Sequence, residues 1–232
     1  MANNLQGIWN IASQYQLLGD DEWVPVKAFE PDTDYTAEAS TLVLITSNGS
    51  SFSDSEGNTI SNISATHSSN GDTPTGSGYS INAQTGGMDI LSVTGSDTGT
   101  GDFTMEAWVN FSLEAFQISS WSFIIGHTYA SSGGSLYLRG LDQDSITYYQ
   151  GGRVPQGLPN DHPITPNNWH HMAAVRNNNI MNVYVDGWLV GTEDISTLSA
   201  SDTNLYVGHN QSGNEFAEGF IYKPHFMTTA KY

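Results

Sequence analysis

Apolar and polar residues alternate most regularly between Asn167 and Asp194, a stretch that predicts three short strands joined by two turns. Trp169, His171, Ala173 and Val175 alternate with His170, Met172, Ala174 and Arg176, the period of two in which successive side chains point to opposite faces of a sheet. Asn177-Asn178-Asn179 breaks the pattern, and Met181, Val183 and Val185 resume it against Asn182 and Tyr184. Asp186-Gly187 is a tight-hairpin dipeptide, suited to positive φ, and Trp188-Leu189-Val190 returns as the partner strand. The unit reads as a three-stranded antiparallel meander.

The same period recurs upstream. Phe103, Met105, Ala107, Val109 and Phe111 alternate with polar positions, Trp108 excepted, which makes one face of that strand core. Shorter strands are expected at Thr41–Ile45, Asp89–Val93, Trp121–Gly126, Ser135–Leu138 and Ile146–Tyr149. Gly151 to Asn168 is a long connection with Pro155, Pro159, Pro163 and Pro166. Loops of more than about 12–15 residues are often functional, so this one is either a recognition surface or a solvated connector. Residues 1–39 are too apolar for a disordered tail and too short to enclose a core. Trp9, Leu17, Leu18, Trp23 and Phe29 therefore either wrap the chain's own sandwich or dock it to a partner, with Glu30–Glu38 as a polar linker.

Three phrases of the meander, W-H-H-M-A-A-V-R, N-V-Y-V-D-G and L-V-G, follow G-D-F-T-M-E-A-W-V and precede L-Y-V-G and G-F-I. In that order they resemble a laminin-G-like, concanavalin A-like jelly-roll domain. The resemblance implies an all-β fold: one antiparallel jelly-roll β-sandwich over residues 40–232, with residues 1–39 as an N-terminal arm. The stretch from Thr41 to Ser80 and the ending GFIYKPHFMTTAKY narrow it to laminin-G-like domains of structural proteins in tailed bacteriophages, particularly those of marine cyanobacteria. Similar endings there read G-Y-I-x-D-x-R-x-T-x-x-x-A-x-Y. Here Tyr222-Lys223-Pro224-His225 replaces the acidic–basic pair.

That likeness implies a virion surface protein, a capsid decoration or a tail or fibre component, made in the host cytoplasm. Its partners would be other virion proteins and sister copies in a homo-oligomer, a trimer being one arrangement, and host-surface glycans. A stand-alone carbohydrate-binding module and a glycan-cleaving enzyme are the alternatives.

Charge narrows the partners. The net charge of −18 comes from 24 acidic residues against six basic ones, Lys27, Arg139, Arg153, Arg176, Lys223 and Lys231. Six scattered cations do not make the basic patch that nucleic acid requires, and an acidic surface repels anionic membranes while attracting divalent cations. No run of about 18 apolar residues is present to span a membrane, and the opening MANNLQGIWNIASQYQ lacks the basic start and apolar core of a secretory signal. The chain has no cysteine, which removes disulfides, thiolate catalysis and cysteine zinc sites.

Catalytic signals are sparse. Retaining glycanases of the related fold look like E-x-D-x-x-E on one strand, which sets two carboxylates about 5 Å apart. The comparable strand here carries only Glu106, while Glu215 and Glu218 lie on an irregular stretch and read as surface residues. No G-x-S-x-G or H-E-x-x-H occurs, so no enzyme is expected. His170 and His171 must point to opposite faces, and His67, His127, His162, His209 and His225 lack ligand spacing; packing or hydrogen bonding is the expected role. No cofactor is required, but Asp142, Asp144, Asp161 and Asp202 sit in turns and offer the hard oxygen ligands calcium takes. Tyr148, Tyr149, Arg153, Asp161 and His162 are the candidate ligand-binding residues. Trp121, Tyr129 and Trp188, with the tyrosine pair, either line the core or present rings to sugars.

Overall fold

The structure, a computed structural model, describes residues 15–17, 23–25, 27–69, 71–84, 86–117, 121–127, 133–139, 145–150, 156–157, 164–213 and 215–232. Its strands, in chain order, begin with β1 (Tyr15–Leu17), β2 (Trp23–Pro25), β3 (Thr41–Ser47), β4 (Phe52–Asp54), β5 (Ile60–Ile63) and β6 (Thr66–His67). Next come β7 (Ile81–Asn82), β8 (Gly87–Ile90), β9 (Phe103–Phe111), β10 (Trp121–Gly126), β11 (Ser135–Arg139) and β12 (Ser145–Tyr149). The last are β13 (Gln156–Gly157), β14 (Trp169–Asn177), β15 (Ile180–Val185), β16 (Trp188–Asp194), β17 (Leu205–Val207) and β18 (Gly219–Met227). One 3-10 turn, Leu113–Phe116, follows β9.

Two antiparallel sheets stack face to face. One runs β13-β12-β11-β10-β17-β8-β5, and the other β16-β15-β14-β9-β18-β3-β4, with β7 also on β18 and β6 on β7. β1 and β2 pair only with each other. The expected meander is present as β14, β15 and β16; Asp186 and Gly187 turn it at φ 50° and 81°. Among the described residues no helix is long and apolar enough to cross a membrane.

The core follows from the alternation. Phe103, Met105, Ala107, Val109 and Phe111 face inward from β9 and are at most 1% exposed, meeting Ile124, Leu136, Val183 and Phe226 in one cluster. Arg176 also points inward, which its charge would oppose. Its guanidinium donates to the carbonyls of Leu198 (3.0 Å) and Gly99 (3.3 Å) and to Asn179 Oδ1 (2.9 Å), so it ties together the loops at one end of the sandwich.

On β9, Thr104 and Glu106 face outward yet are as buried as the core side. The cover comes from residues 229–232, which bond to both side chains, and from the segment before β3, which includes Glu30–Glu38, the stretch expected as a polar linker. Residues 27–38 lie as a strap on the outer face of the β9 sheet, starting where the Ala28 N–H donates to the Gly187 carbonyl at 2.8 Å. A Cβ on Gly187 would stand 1.8 Å from the Phe29 carbonyl oxygen, so the close approach needs glycine. Farther along, the Trp108 indole N–H donates to the Asp32 carbonyl (2.9 Å), Tyr222 donates to Asp34 (3.1 Å), and Tyr35 is 3% exposed.

Within the long connection expected after β12, Gln156–Gly157 forms an edge strand and Ile164 enters the core. Asp89–Val93 is shorter as a strand than expected, because Ser92 takes a positive φ of 59°.

Candidate ligand-binding face

Register brings five outward residues into one row across five strands. Trp169 pairs with Asn110, Asn110 with Phe220, Phe220 with Asn82, and Asn82 with Thr66. Their sequence neighbours Val109, Phe111, Ile221 and Ile81 belong to the core, so the period of two turns this set away from it. The first four are half-buried and Thr66 is exposed. Four interstrand steps make the row roughly 19 Å long. Trp169 meets the Tyr222 ring edge-on at 6.4 Å, and neither its indole N–H nor the Asn110 amide has a hydrogen-bond partner among the described residues. Asn82 Oδ1 accepts from the Gln84 N–H (3.2 Å), which orients that amide. Aromatic faces alternating with amides and a hydroxyl form a surface that can stack on an apolar ring and hydrogen-bond around it.

Beside the row, β18 leaves β7 and joins β3. A bulge between Tyr222 and His225, with Lys223 at φ 49°, makes the change of partner. The break in the ladder leaves a cavity of about 90 Å³, lined by Ile45, Tyr79, Ser80, Tyr222 and Lys223 among others.

The next two rows carry the densest polar chemistry of the molecule, and the strap closes over both. Glu106 lies at their centre. Its Oε1 accepts from Lys231 Nζ (2.8 Å) and faces His225 Nδ1 (3.0 Å); its Oε2 accepts from the Tyr232 hydroxyl (2.7 Å) and faces His171 Nε2 (3.2 Å). Burial opposes ionisation, but the hydrogen bonds from His171 and His225 and the positive charge of Lys231 hold the carboxyl well below the usual range. A carboxylate only accepts, so the histidine nitrogens that face it carry protons. His225 Nε2 is in turn 2.8 Å from the Thr41 hydroxyl. Phe29 stacks on Tyr232 at 3.5 Å between ring centroids, and both rings stand edge-on to His171. All four donors point at the carboxylate, and the neighbouring carboxylate, Glu38 of the strap, meets it only through Lys231, its Oε1 3.6 Å from Nζ. Chemically, this is a keystone that fastens the C-terminal residues and the strap to the sheet.

The residues singled out in the sequence fall in different places. Tyr148, expected to bind ligand, is instead fully buried in the core with its hydroxyl on Gln150 Oε1 at 2.8 Å; it sits on the inward parity of β12. Tyr149 is on the outward parity, half-buried and edge-on to Trp121 at 5.1 Å, beside Phe123, Tyr137 and Tyr206 on the other sheet. Phe29 packs on the chain's own Tyr184 and Tyr232. Asp202 turns Oδ1 to the Asn204 N–H (2.9 Å). Trp9, Leu18, Arg153, Asp142, Asp144, Asp161 and His162 lie outside the described residues, as do the side chains of Leu17 and Trp23. Among the described residues no group of three or more His, Asp or Glu is arranged to hold a metal ion. His170 and His171 do diverge: His170 Nδ1 meets Asp186 at 2.7 Å at the rim, while His171 meets Glu106.

Sequence reasoning missed the row itself. Alternation put Trp169 on one face of β14 without saying which face is outward, and Asn110, Phe220, Asn82 and Thr66 join it only through pairing across the chain.

The chain matches the concanavalin A-like lectin/glucanases superfamily over residues 82–230. Among solved structures it is similar to the binding domain of Paraclostridial mosquitocidal protein 1, at 12% identity and a TM-score of 0.63, covering 83% of this chain and 50% of that one. It is similar to the receptor binding domain of botulinum neurotoxin C/D mosaic serotype, at 11% identity and a TM-score of 0.63, covering 83% and 49%. A third is domain 4 of AbnA, a GH43 extracellular arabinanase from Geobacillus stearothermophilus, in complex with arabinotriose, at 15% identity and a TM-score of 0.60, covering 84% and 95%. The chain thus spans about half the length of the toxin binding domains it matches. At these identities the likeness is one of fold. No curated protein sequence matches the chain.

Proposed function

We propose that the chain, which belongs to the concanavalin A-like lectin/glucanases superfamily, is a non-enzymatic carbohydrate-binding protein of a virion surface, either a capsid decoration or a tail or fibre component. The observation that carries the binding role is the row of Trp169, Asn110, Phe220, Asn82 and Thr66, half-buried to exposed and beyond the reach of the strap, where rings and amides alternate on the outer face of the sheet. The non-enzymatic reading is supported by Glu106, the carboxylate of the central strand, whose two oxygens are taken up by four neighbouring donors. A retaining glycanase needs a second carboxylate about 5 Å away and access for the sugar. The virion setting rests on the likeness of the ending Gly219–Tyr232 to phage structural proteins, with the part of the N-terminal arm that precedes the strap contributing to attachment to virion partners or sister copies.

A stand-alone carbohydrate-binding module is the second reading. It is favoured by the match to nearly the whole of the arabinanase's domain 4. Both readings predict saturable binding of the intact chain on a glycan array. Repeating the array with calcium and with a chelator reads any contribution of Asp142, Asp144, Asp161 and Asp202. Correctly folded protein that binds no glycan in either condition would remove the carbohydrate-binding role.

A further inference from the structure

We infer that the row from Trp169 to Thr66 is a set of subsites for an uncharged, extended glycan chain lying across the strands; this rests on the carbohydrate-binding reading above. Three observations carry it.

The first is spacing. Neighbouring members of the row are one interstrand step apart, about 4.8 Å. A pyranose unit in an extended chain advances by a similar distance. Trp169 and Phe220, two steps apart, therefore meet alternate sugars with their ring faces, and Asn110 and Asn82 meet the hydroxyls of the sugars between.

The second is direction. Along the strands the face is closed on one side, because the strap lies over the next row, with the Trp108 indole on the Asp32 carbonyl and the Tyr222 hydroxyl on Asp34. A chain laid parallel to the strands would run into residues 32–34. Across the strands the row continues to the exposed Thr66 on β6.

The third is charge. The four lysine and arginine side chains that the structure describes are already engaged: Lys27 by Glu30, Arg176 by buried carbonyls, Lys223 by Asp34 and Lys231 by Glu106; the side chains of Arg139 and Arg153 lie outside the described residues. In the chain Phe220 lies two residues from the acid Glu218 and three from Lys223, whose charge Asp34 takes up. The net charge of −18 adds to the repulsion of anionic ligands. Sulfated, sialylated and uronate-rich chains are thus disfavoured, and neutral chains are the class the surface fits.

The test titrates the intact chain with neutral gluco-, xylo-, manno- and arabino-oligosaccharides of two to six units, and with an oligogalacturonide as the anionic probe. Trp169→Ala, Phe220→Ala and Asn110→Ala are compared with Trp121→Ala on the opposite sheet, each checked for an unchanged fold by circular dichroism. The expected result is binding of one neutral series that tightens with length up to about four or five sugars. Trp169→Ala and Phe220→Ala should each weaken it by about tenfold, Asn110→Ala should weaken it less, and Trp121→Ala should leave it unchanged. Neutral-glycan binding that only Trp121→Ala disturbs would overturn the row while leaving the carbohydrate-binding function standing. Preferential binding of the oligogalacturonide would overturn the ligand class. Folded protein that binds none of the probes or arrayed glycans would overturn both the row and the function it rests on.

Discussion

Lys231 Nζ meets Glu106 Oε1 at 2.8 Å across a separation of 125 residues, and the next residue, Tyr232, donates its hydroxyl to the other carboxylate oxygen at 2.7 Å. The pair joins residues 231–232 to the centre of β9, one of the three nine-residue strands among the described residues. His171 and His225 complete the ring of donors, and Phe29 of the strap closes it through its stack on Tyr232. Four predictions follow from this arrangement and from its surroundings.

Replacing Glu106 by Ala removes the acceptor that four buried or half-buried donors share. Breaking a buried ion pair from one side costs about 3–5 kcal/mol, because the remaining charge is left uncompensated. Urea unfolding of Glu106→Ala is expected to show that loss, and Glu106→Gln a smaller one, since the amide keeps the volume and one acceptor oxygen. A change within experimental error for both variants would mean that the network contributes no net stability.

Acidification should act through the same group. The unfolded-state value for Glu106 is 4.5, and the folded value lies well below it. A depressed carboxyl contributes stability that is fully present above the unfolded pKa and is lost as pH falls through the folded one. Wild type should therefore lose more stability than Glu106→Gln on going from pH 5 to about pH 3, with the difference between them constant above pH 6. Parallel curves throughout the acid range would refute the assignment.

Gly187→Ala places a Cβ against the Phe29 carbonyl oxygen at a φ of 81°. Because the clash is with backbone, the strap or the turn must move. A loss of more than about 1 kcal/mol is expected, as for alanine forced into positive φ. Amide exchange at residues 28–35 should accelerate more than exchange in the β9 and β14 interior. Uniform acceleration would show that the strap is not a separable element.

Tyr222 is buried beside the strap, and that burial, together with the charge of Asp34 and the hydrogen bond to it, pushes its phenol up to about 12 from 10.0. A phenol raised on folding stabilises fully below its unfolded pKa, and that stability is lost as pH rises through the folded value. Tyr222→Phe should flatten the alkaline fall in stability between pH 10 and 12. An ultraviolet titration in which wild type and Tyr222→Phe differ by a tyrosine that ionises near pH 10 would contradict this.

Local patterning determined a good deal of this protein. The period of two over Phe103–Phe111 and Trp169–Arg176, and the Asp186-Gly187 turn, specify strands, a hairpin and two faces per strand, because side-chain alternation and positive-φ turns depend only on adjacent residues. What alternation does not say is which face ends up inside, or what covers the other. Tyr148 and Tyr149 are one residue apart and chemically alike, yet the first is core and the second lies outside it, a choice made by how β12 sits between its neighbours. Glu106 reads in the sequence as a lone polar alternate; it becomes a buried carboxylate only when β14, β18, the strap and residues 231–232 converge on it. The row of Trp169, Asn110, Phe220, Asn82 and Thr66 is likewise a product of strand order and register, since its members come from five strands spread over most of the domain. Strand formation is a short-range property of the chain, whereas pairing partners and coverage are set by the packing of the whole sandwich, and both candidate sites belong to that second kind.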